Sequence, residues 1–368
     1  FIDDVWEYLE KFRKVLFFLL KNKNWDFLFI VFSVTDWIQH VMWKHIDKNH
    51  PLYDPEEAPK YESHFLKIWQ EIDKTIGEIL ELVGGDNNLL IISDHGFGPN
   101  DQVFNLAKWL ELKGYLVRKR FKIKFLKELL YKVGRIFFRK ILSEKIKMKA
   151  KRKLKTGIVD EIDFKKSKAF CLGHTIPFGA IYINPNLHNE RNEILRKLIN
   201  DLQSIEKDIG KKVNVEIFEV KKIYDGKRAE LLPDIIFTIN NWRCVIREDT
   251  FDGPLFEEKP FTPRHTGSHR LEGIFIAYGP DMKKGTVLSR EVKIFDIAPT
   301  VLHMFDLSIP EDMDGQVLLE IFNEKSAYKT RKVRIRKLKE MDLKIARVKR
   351  ELKRRMSKLD RGKMRRFE

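Results

Sequence analysis

The chain predicts an α/β fold: a mostly parallel central sheet with helices on both faces, carrying a basic helical cap insertion. Three observations point there. Phe27–Val34 is a continuous apolar run of strand length, the pattern of a strand buried on both faces of a parallel sheet. Leu89–Ile92 is a second such run. Between them Ala58–Val83 sets Phe65, Ile68, Trp69, Ile72, Ile76, Ile79 and Leu80 along one side of a helix. Strand, helix, strand is the order of α/β architecture.

The remaining elements follow from the same rules. Trp6, Leu9, Phe12, Leu16, Leu19 and Leu20 recur at three- and four-residue spacing and predict a helix over 5–22. Gly84–Gly85 ends the long helix, as a C-terminal glycine should. Further strands are expected at Ala180–Ile183, Val213–Val220, Asp234–Ile239 and Ile274–Tyr278, and helices at Glu190–Ile209 and Asp296–Phe305. No internal repeat is evident.

With 368 residues, 43% apolar and 12% aromatic, the chain can bury one large core, or one core plus a small subdomain. That composition excludes a mainly disordered chain. No apolar run approaches the roughly 20 residues needed to cross a bilayer. Cys171 and Cys244 are too few for a disulfide framework or a four-thiolate metal site. They fit a reduced compartment without proving one; the compartment stays open, with the cytoplasm slightly favoured. The net charge of +17 is unevenly spread. Segment 113–155 holds 18 Lys/Arg against two acids, and segment 325–368 holds 20 against five, leaving the rest net acidic at −14. An acidic body with clustered carboxylates suits divalent cations better than nucleic acid.

Asp and His cluster at the ends of expected strands. Thr35-Asp36-Trp37-Ile38-Gln39-His40 follows Phe27–Val34, and Ser93-Asp94-His95-Gly96 follows Leu89–Ile92. In open α/β sheets ligands bind outside the carboxyl ends of the strands. Thr266-Gly267-Ser268-His269-Arg270 precedes the last strand and can reach the same rim if its loop folds back. A helix starting near Asp36 would set Asp36 and His40 one turn apart on one face. Asp94 and His95 are adjacent, and a turn at Gly96 would free them to converge. Mixed carboxylate and imidazole ligands suit Zn²⁺ first, then Mn²⁺ or Fe²⁺. His265, four residues before His269, reads equally as a loop histidine or a substrate-side group. His45 and His50, in a polar turn, read as surface. Asp296 reads as a helix N-cap, and His303 as a core or boundary residue.

The stretches "FIVFSVTDWIQHVMW", "LLIISDHGFG", "TGSHRLEGIFIAYGP" and "FDIAPTVLHMFDLSIPEDMDGQVL", in this order, resemble the alkaline phosphatase superfamily, specifically its type I phosphodiesterase/nucleotide pyrophosphatase branch. The resemblance covers roughly residues 24–323 and is weakest over 113–165. It implies a metal-dependent hydrolase of phosphodiester or nucleotide pyrophosphate bonds with two divalent ions. Asp36, His40 and His269 match the ligands of one ion. Asp94 and His95 match two ligands of the other. The family adds an Asp and a Ser or Thr nucleophile from an earlier strand–turn–helix. Neither has a counterpart here: Asp3 and Asp4 lie in the wrong context, and Thr35 does not match the nucleophile position. The chain starts at Phe1 without Met, so the expectation is that both lie upstream and that residues 1–368 alone are inactive.

The expected organisation is a catalytic domain over 1–323, interrupted by a cap at 113–165, and a basic helical or disordered tail over 324–368. The resemblance implies a phosphate-ester or nucleotide substrate and a cap that helps choose it. A positive cap would also attract an anionic ester. The basic segments 113–155 and 325–368 leave open docking on an anionic membrane surface or nucleic acid. Two alternatives stand beside the hydrolase: a phosphomutase or phosphotransferase with the same ligands, and a non-catalytic module binding anionic surfaces.

Overall fold

A computed structural model describes residues 1–119, 158–224, 226 and 228–337. Most of the expected cap (120–157) and the end of the basic tail (338–368) lie outside the described residues. The chain forms two compact units. One is Phe1–Thr75 with Gly96–Glu272, and the other is Ile76–His95 with Gly273–Glu368.

The first unit opens with α1 (Ile2–Asn22), α2 (Val34–Ile46) and the start of α3 (Ala58–Val83). Asp3 and Asp4 sit in the first turn of α1, where the helix dipole favours negative charge. Its buried stripe is Val5, Leu9, Leu16 and Leu20. Arg13 ties α1 to α3, pairing with Glu71 (3.2 Å) and donating to the Thr75 hydroxyl.

Leu89–Ile92 forms β1 in the second unit. The first unit resumes with β2 (Gly96–Pro99), β3 (Gln102–Asn105) and α4 (Leu106–Leu112). Asn105 caps α4 by accepting from the Lys108 N–H at 3.0 Å. Then come β4 (Ala169–Phe170), β5 (Thr175–Ile176), β6 (Gly179–Ile183), α5 (Arg191–Gln203), β7 (Val215–Glu219), β8 (Ile235–Ile239), β9 (Cys244–Arg247), β10 (Phe256–Glu257) and β11 (Gly267–Arg270). One sheet runs β4-β6-β8-β7 and another β10-β3-β9-β5, while β11 pairs with β2 alone. Phe104, Trp109, Ile181, Leu198, Leu202, Ile235 and Phe237 share the main core. Trp109 is fully buried, and its indole N–H finds Asp208 at 2.8 Å. A buried indole needs such a partner. Residues 113–119 and 158–165, the described parts of the expected cap, contribute Tyr115, Leu116, Ile158 and Ile162 to this core.

In the second unit β1 pairs with β12 (Phe275–Tyr278), Leu90 opposite Ala277. Helix α6 (Ile297–Met304) packs Ile297 and Met304 against Met282, Leu318, Ile321 and Phe322. His303 is buried, its Nε2 2.8 Å from the Tyr328 carbonyl. Asp296 does not cap α6 with its side chain. Its carboxylate instead accepts the N–H groups of Lys293 (3.1 Å) and Gln316 (2.8 Å). Residues 324–337, which the sequence assigns to the tail, are folded here. Arg331 donates to the His303 and Met304 carbonyls at 2.9 and 3.0 Å, satisfying the last turn of α6. Ile335 pairs with Ile309. Among the described residues no helix is long and apolar enough to cross a membrane.

The α/β composition is as expected, but the mostly parallel central sheet is not. The described sheets are mostly antiparallel, and only β3–β9 and the Ile309–Ile335 pairing run parallel. The physical reason lies in the two apolar runs. Leu89–Ile92 is only partly buried and takes an antiparallel neighbour. Phe27–Val34 forms no strand: Val34 opens α2, and Phe27, Phe29 and Val31 are each more than half exposed. An apolar run specifies burial, not pairing, and a strand needs a neighbour for its backbone groups.

Candidate metal centre

Helix α2 buries Val34, Ile38 and Met42 along one stripe. Asp36 and His40, also four apart, share a different face. Across from them runs β11, a strand where a folded-back loop was expected. Its pairing with β2 sets His269 opposite Phe97. The segment leading into β11 is stitched to α2. The Thr266 N–H donates to the His40 carbonyl at 2.8 Å, and the Thr266 hydroxyl accepts from the Lys44 N–H at 3.2 Å. Gly267 permits the approach, since a Cβ there would lie 2.3 Å from the Gln39 carbonyl oxygen.

The three side chains converge. His40 Nε2 lies 3.1 Å from His269 Nε2 and 3.4 Å from Asp36 Oδ1, and His269 Nε2 lies 3.3 Å from the same carboxylate oxygen. His40 Nδ1 is 2.8 Å from the Gly267 carbonyl. A carbonyl only accepts, so the neutral ring carries its proton on Nδ1 and turns the Nε2 lone pair toward the other two donors. Phe97 sets its ring edge-on to both imidazoles, at 4.7 Å from His40 and 5.4 Å from His269. His265 stacks on His40 at 4.6 Å and 11°. Burial pulls the His265 pKa down, helped by His40 and opposed by Asp36.

This triangle fits a divalent ion. Bonds of about 2.0–2.1 Å at tetrahedral angles place neighbouring ligand atoms roughly 3.3–3.4 Å apart. The three separations match one face of such a tetrahedron. One carboxylate and two imidazoles are the donors a borderline-soft cation prefers.

The other predicted pair lies at the end of β1 in the second unit. Asp94 is exposed there, and its Oδ1 is 3.6 Å from His95 Nε2. The structure thus gathers Asp36, His40 and His269 in one place and sets Asp94 beside His95. His45 and His50 are not surface residues: they are 6% and 3% exposed. His45 stacks on Tyr61 at 4.1 Å, and His50 Nδ1 accepts from the Leu52 N–H at 3.1 Å. Burial lowers the pKa of both. A polar sequence context hid them, because aromatic packing partners such as Tyr61 come from elsewhere in the chain. Phe97 also escaped notice, since nothing in its neighbourhood announces two histidines 57 and 172 residues away.

Arg270, next to His269, is held by backbone carbonyls. Its Nη1 donates to Trp242 and His269, both at 2.8 Å, and its Nη2 donates to Pro99. Burial, with Arg243 nearby, brings its pKa down to about 10, so it stays cationic at neutral pH. Arg243 forms a two-pronged pair with Asp101.

The fold and site together define a class: an α/β protein in which a helix and a strand present an Asp–His–His donor set suited to a cation. The chain belongs to the type I phosphodiesterase / nucleotide pyrophosphatase family, part of the alkaline phosphatase superfamily, whose sequence pattern it matches over residues 3–268. That stretch includes Asp36, His40, Asp94 and His95 and ends one residue short of His269. No curated protein and no solved structure matches the chain. The family supports a phosphoric ester hydrolase acting on phosphoester or nucleotide substrates.

Proposed function

We propose that the chain carries the metal-binding part of a phosphodiesterase or nucleotide pyrophosphatase, with Asp36, His40 and His269 holding one divalent ion, Zn²⁺ first, and Asp94 and His95 contributing to a second. The observation that supports this most is the 3.1–3.4 Å triangle of donor atoms within a chain of this family. Bound ions of this kind supply Lewis-acid stabilisation of phosphoryl oxygens and activation of a hydroxyl or water.

The chain's own groups do the rest. The Gly267 carbonyl fixes the His40 tautomer, so no proton has to leave Nε2 before it can bind a cation. Asp36 supplies the negative charge that partly offsets a divalent ion. Its side chain is 37% exposed and that of His269 41%, so a substrate can reach the donors from solvent. Two hydroxyls close to the donors in the chain are engaged: Thr35 donates to the Phe32 carbonyl at 2.8 Å, and Thr266 to the Val41 carbonyl at 3.1 Å. The reading assigns the nucleophile's role to neither of them.

Metal analysis and hydrolysis test the proposal together. About two equivalents of Zn or Mn should bind the protein, and Asp94→Ala combined with His269→Ala should abolish that binding. Residues 1–368 by themselves should not hydrolyse bis-p-nitrophenyl phosphate. Absence of bound metal would overturn the hydrolase reading. Metal-dependent hydrolysis by residues 1–368 alone would overturn the assignment of the nucleophile.

A further inference from the structure

We infer that His265 is a positioning residue: the face of its imidazole, not a nitrogen, holds His40 in the plane that aims Nε2 at Asp36 and His269. The inference rests on the metal reading above only for what His40 is held to do.

Three observations carry it. The two rings are nearly parallel, 11° apart with centroids 4.6 Å apart, whereas His40 and His269 are inclined at 54°. An imidazole lone pair lies in the plane of its ring. A point on the Nε2 lone pair of His40 therefore lies in the His40 plane, and the nearly parallel His265 ring cannot direct a nitrogen there without unstacking. Among the described residues, the donor set within mutual reach is Asp36, His40 and His269, without His265.

Second, His265 is anchored through its backbone and so can act as a wall. Its N–H donates to the Thr262 carbonyl at 3.1 Å, and its carbonyl accepts from Asn100 Nδ2 at 3.1 Å. The next residue, Thr266, bonds to the His40 carbonyl.

Third, His265 adds a near-parallel ring face to aromatic contacts that otherwise meet His40 at an angle. The Nδ1 bond to Gly267 limits rotation about the His40 Cβ–Cγ bond, and the stacked His265 ring limits it further. Phe97 lies nearly perpendicular to the His40 ring at 4.7 Å, and His265 supplies a near-parallel face at 4.6 Å. Parallel aromatic faces are attractive in themselves, but the larger gain is that His40 loses its ring freedom in folding and not on meeting the ion.

The test compares His265→Ala, which removes the face, with His265→Phe, which keeps a face and has no nitrogen. Asp36→Asn serves as the control for the metal reading. Zn²⁺ and Co²⁺ affinities come from titration calorimetry, and the Co²⁺ visible spectrum reports the ligand set. His265→Ala should weaken Zn²⁺ about tenfold, in the range of losses seen when groups supporting metal ligands are removed. His265→Phe should stay within about threefold of the parent, with an unchanged Co²⁺ spectrum. Equal losses in both variants, or a changed Co²⁺ spectrum in His265→Phe, would show that a nitrogen matters and overturn the inference. So would parent-like affinity in His265→Ala.

A metal-free readout keeps the two readings separate. In the apo protein the His40 Nδ1–H should exchange slowly with solvent in the parent and in His265→Phe, and faster in His265→Ala. If neither the parent nor Asp36→Asn binds metal, the hydrolase reading fails, and this exchange pattern alone decides the role of His265. Equal exchange in all three proteins overturns it.

Discussion

Replacing Gly267 with alanine tests the geometry of the site directly. The added Cβ would sit 2.3 Å from the Gln39 carbonyl oxygen, 3.0 Å from the Trp43 Cβ and 3.1 Å from the Gln39 carbonyl carbon. Carbon–oxygen contacts settle near 3.3–3.6 Å, so β11 and α2 must separate by about 1 Å. Neither side can yield by rotating a flexible side chain, because two of the three blocking atoms are helix backbone. The shift falls between the Asp36–His40 pair on α2 and His269 on β11. Metal–ligand distances tolerate about 0.2 Å, so a 1 Å displacement removes His269 from a shared ion. The expected result is a loss of at least about 100-fold in Zn²⁺ affinity, or about 2.8 kcal/mol. Overpacking should cost folding stability roughly 1–3 kcal/mol, which leaves the fold intact for measurement. Calorimetric Zn²⁺ titration beside urea unfolding is the assay. A folded Gly267→Ala protein that binds Zn²⁺ within threefold of the parent would refute the claim that the β11–α2 approach builds the site.

Other consequences follow from groups away from the donors. Burial lowers the pKa of His45 and His50 from the ordinary value near 6.5, so the unfolded chain binds protons more readily at these positions. Stability is then full above about pH 6.5 and falls as the pH drops below it. His45→Phe, which keeps the stack on Tyr61, should flatten the dependence of the urea midpoint between pH 6.5 and pH 5; an unchanged slope would remove His45 from the account. Glu248 is fully buried and accepts the backbone N–H groups of Leu172 (3.3 Å), His174 (3.2 Å) and Ala180 (2.9 Å). Glu248→Ala strands three donors and should cost about 3 kcal/mol or more by chemical denaturation. A loss below 1 kcal/mol would mean that water replaces the carboxylate.

Much of the fold was legible in local pattern. The long helix was read at the bounds it has, because its apolar stripe is continuous and Gly84 closes it with a left-handed backbone (φ 79°). The strands at 179–183, 215–219, 235–239 and 275–278 lie within a residue or two of expectation. The short strands β2, β3, β9 and β11 were not foreseen. Four residues such as Gly-Ser-His-Arg carry no apolar alternation, and only the partner strand makes them extended. Phe27–Val34 failed in the opposite sense, with an apolar pattern and no pairing.

The site divides along the same line. Asp36 and His40 belong together in any helix that contains both, since helical rise alone brings residues four apart onto one face. Their residue types already favour a cation. His269 joins them only because the stretch that carries it folds as a strand against α2, a contact between residues 229 positions apart in the chain. No local rule spans that distance. Glycine at 267, the bond from Thr266 to the His40 carbonyl and the ring of His265 act together only once helix and strand have met.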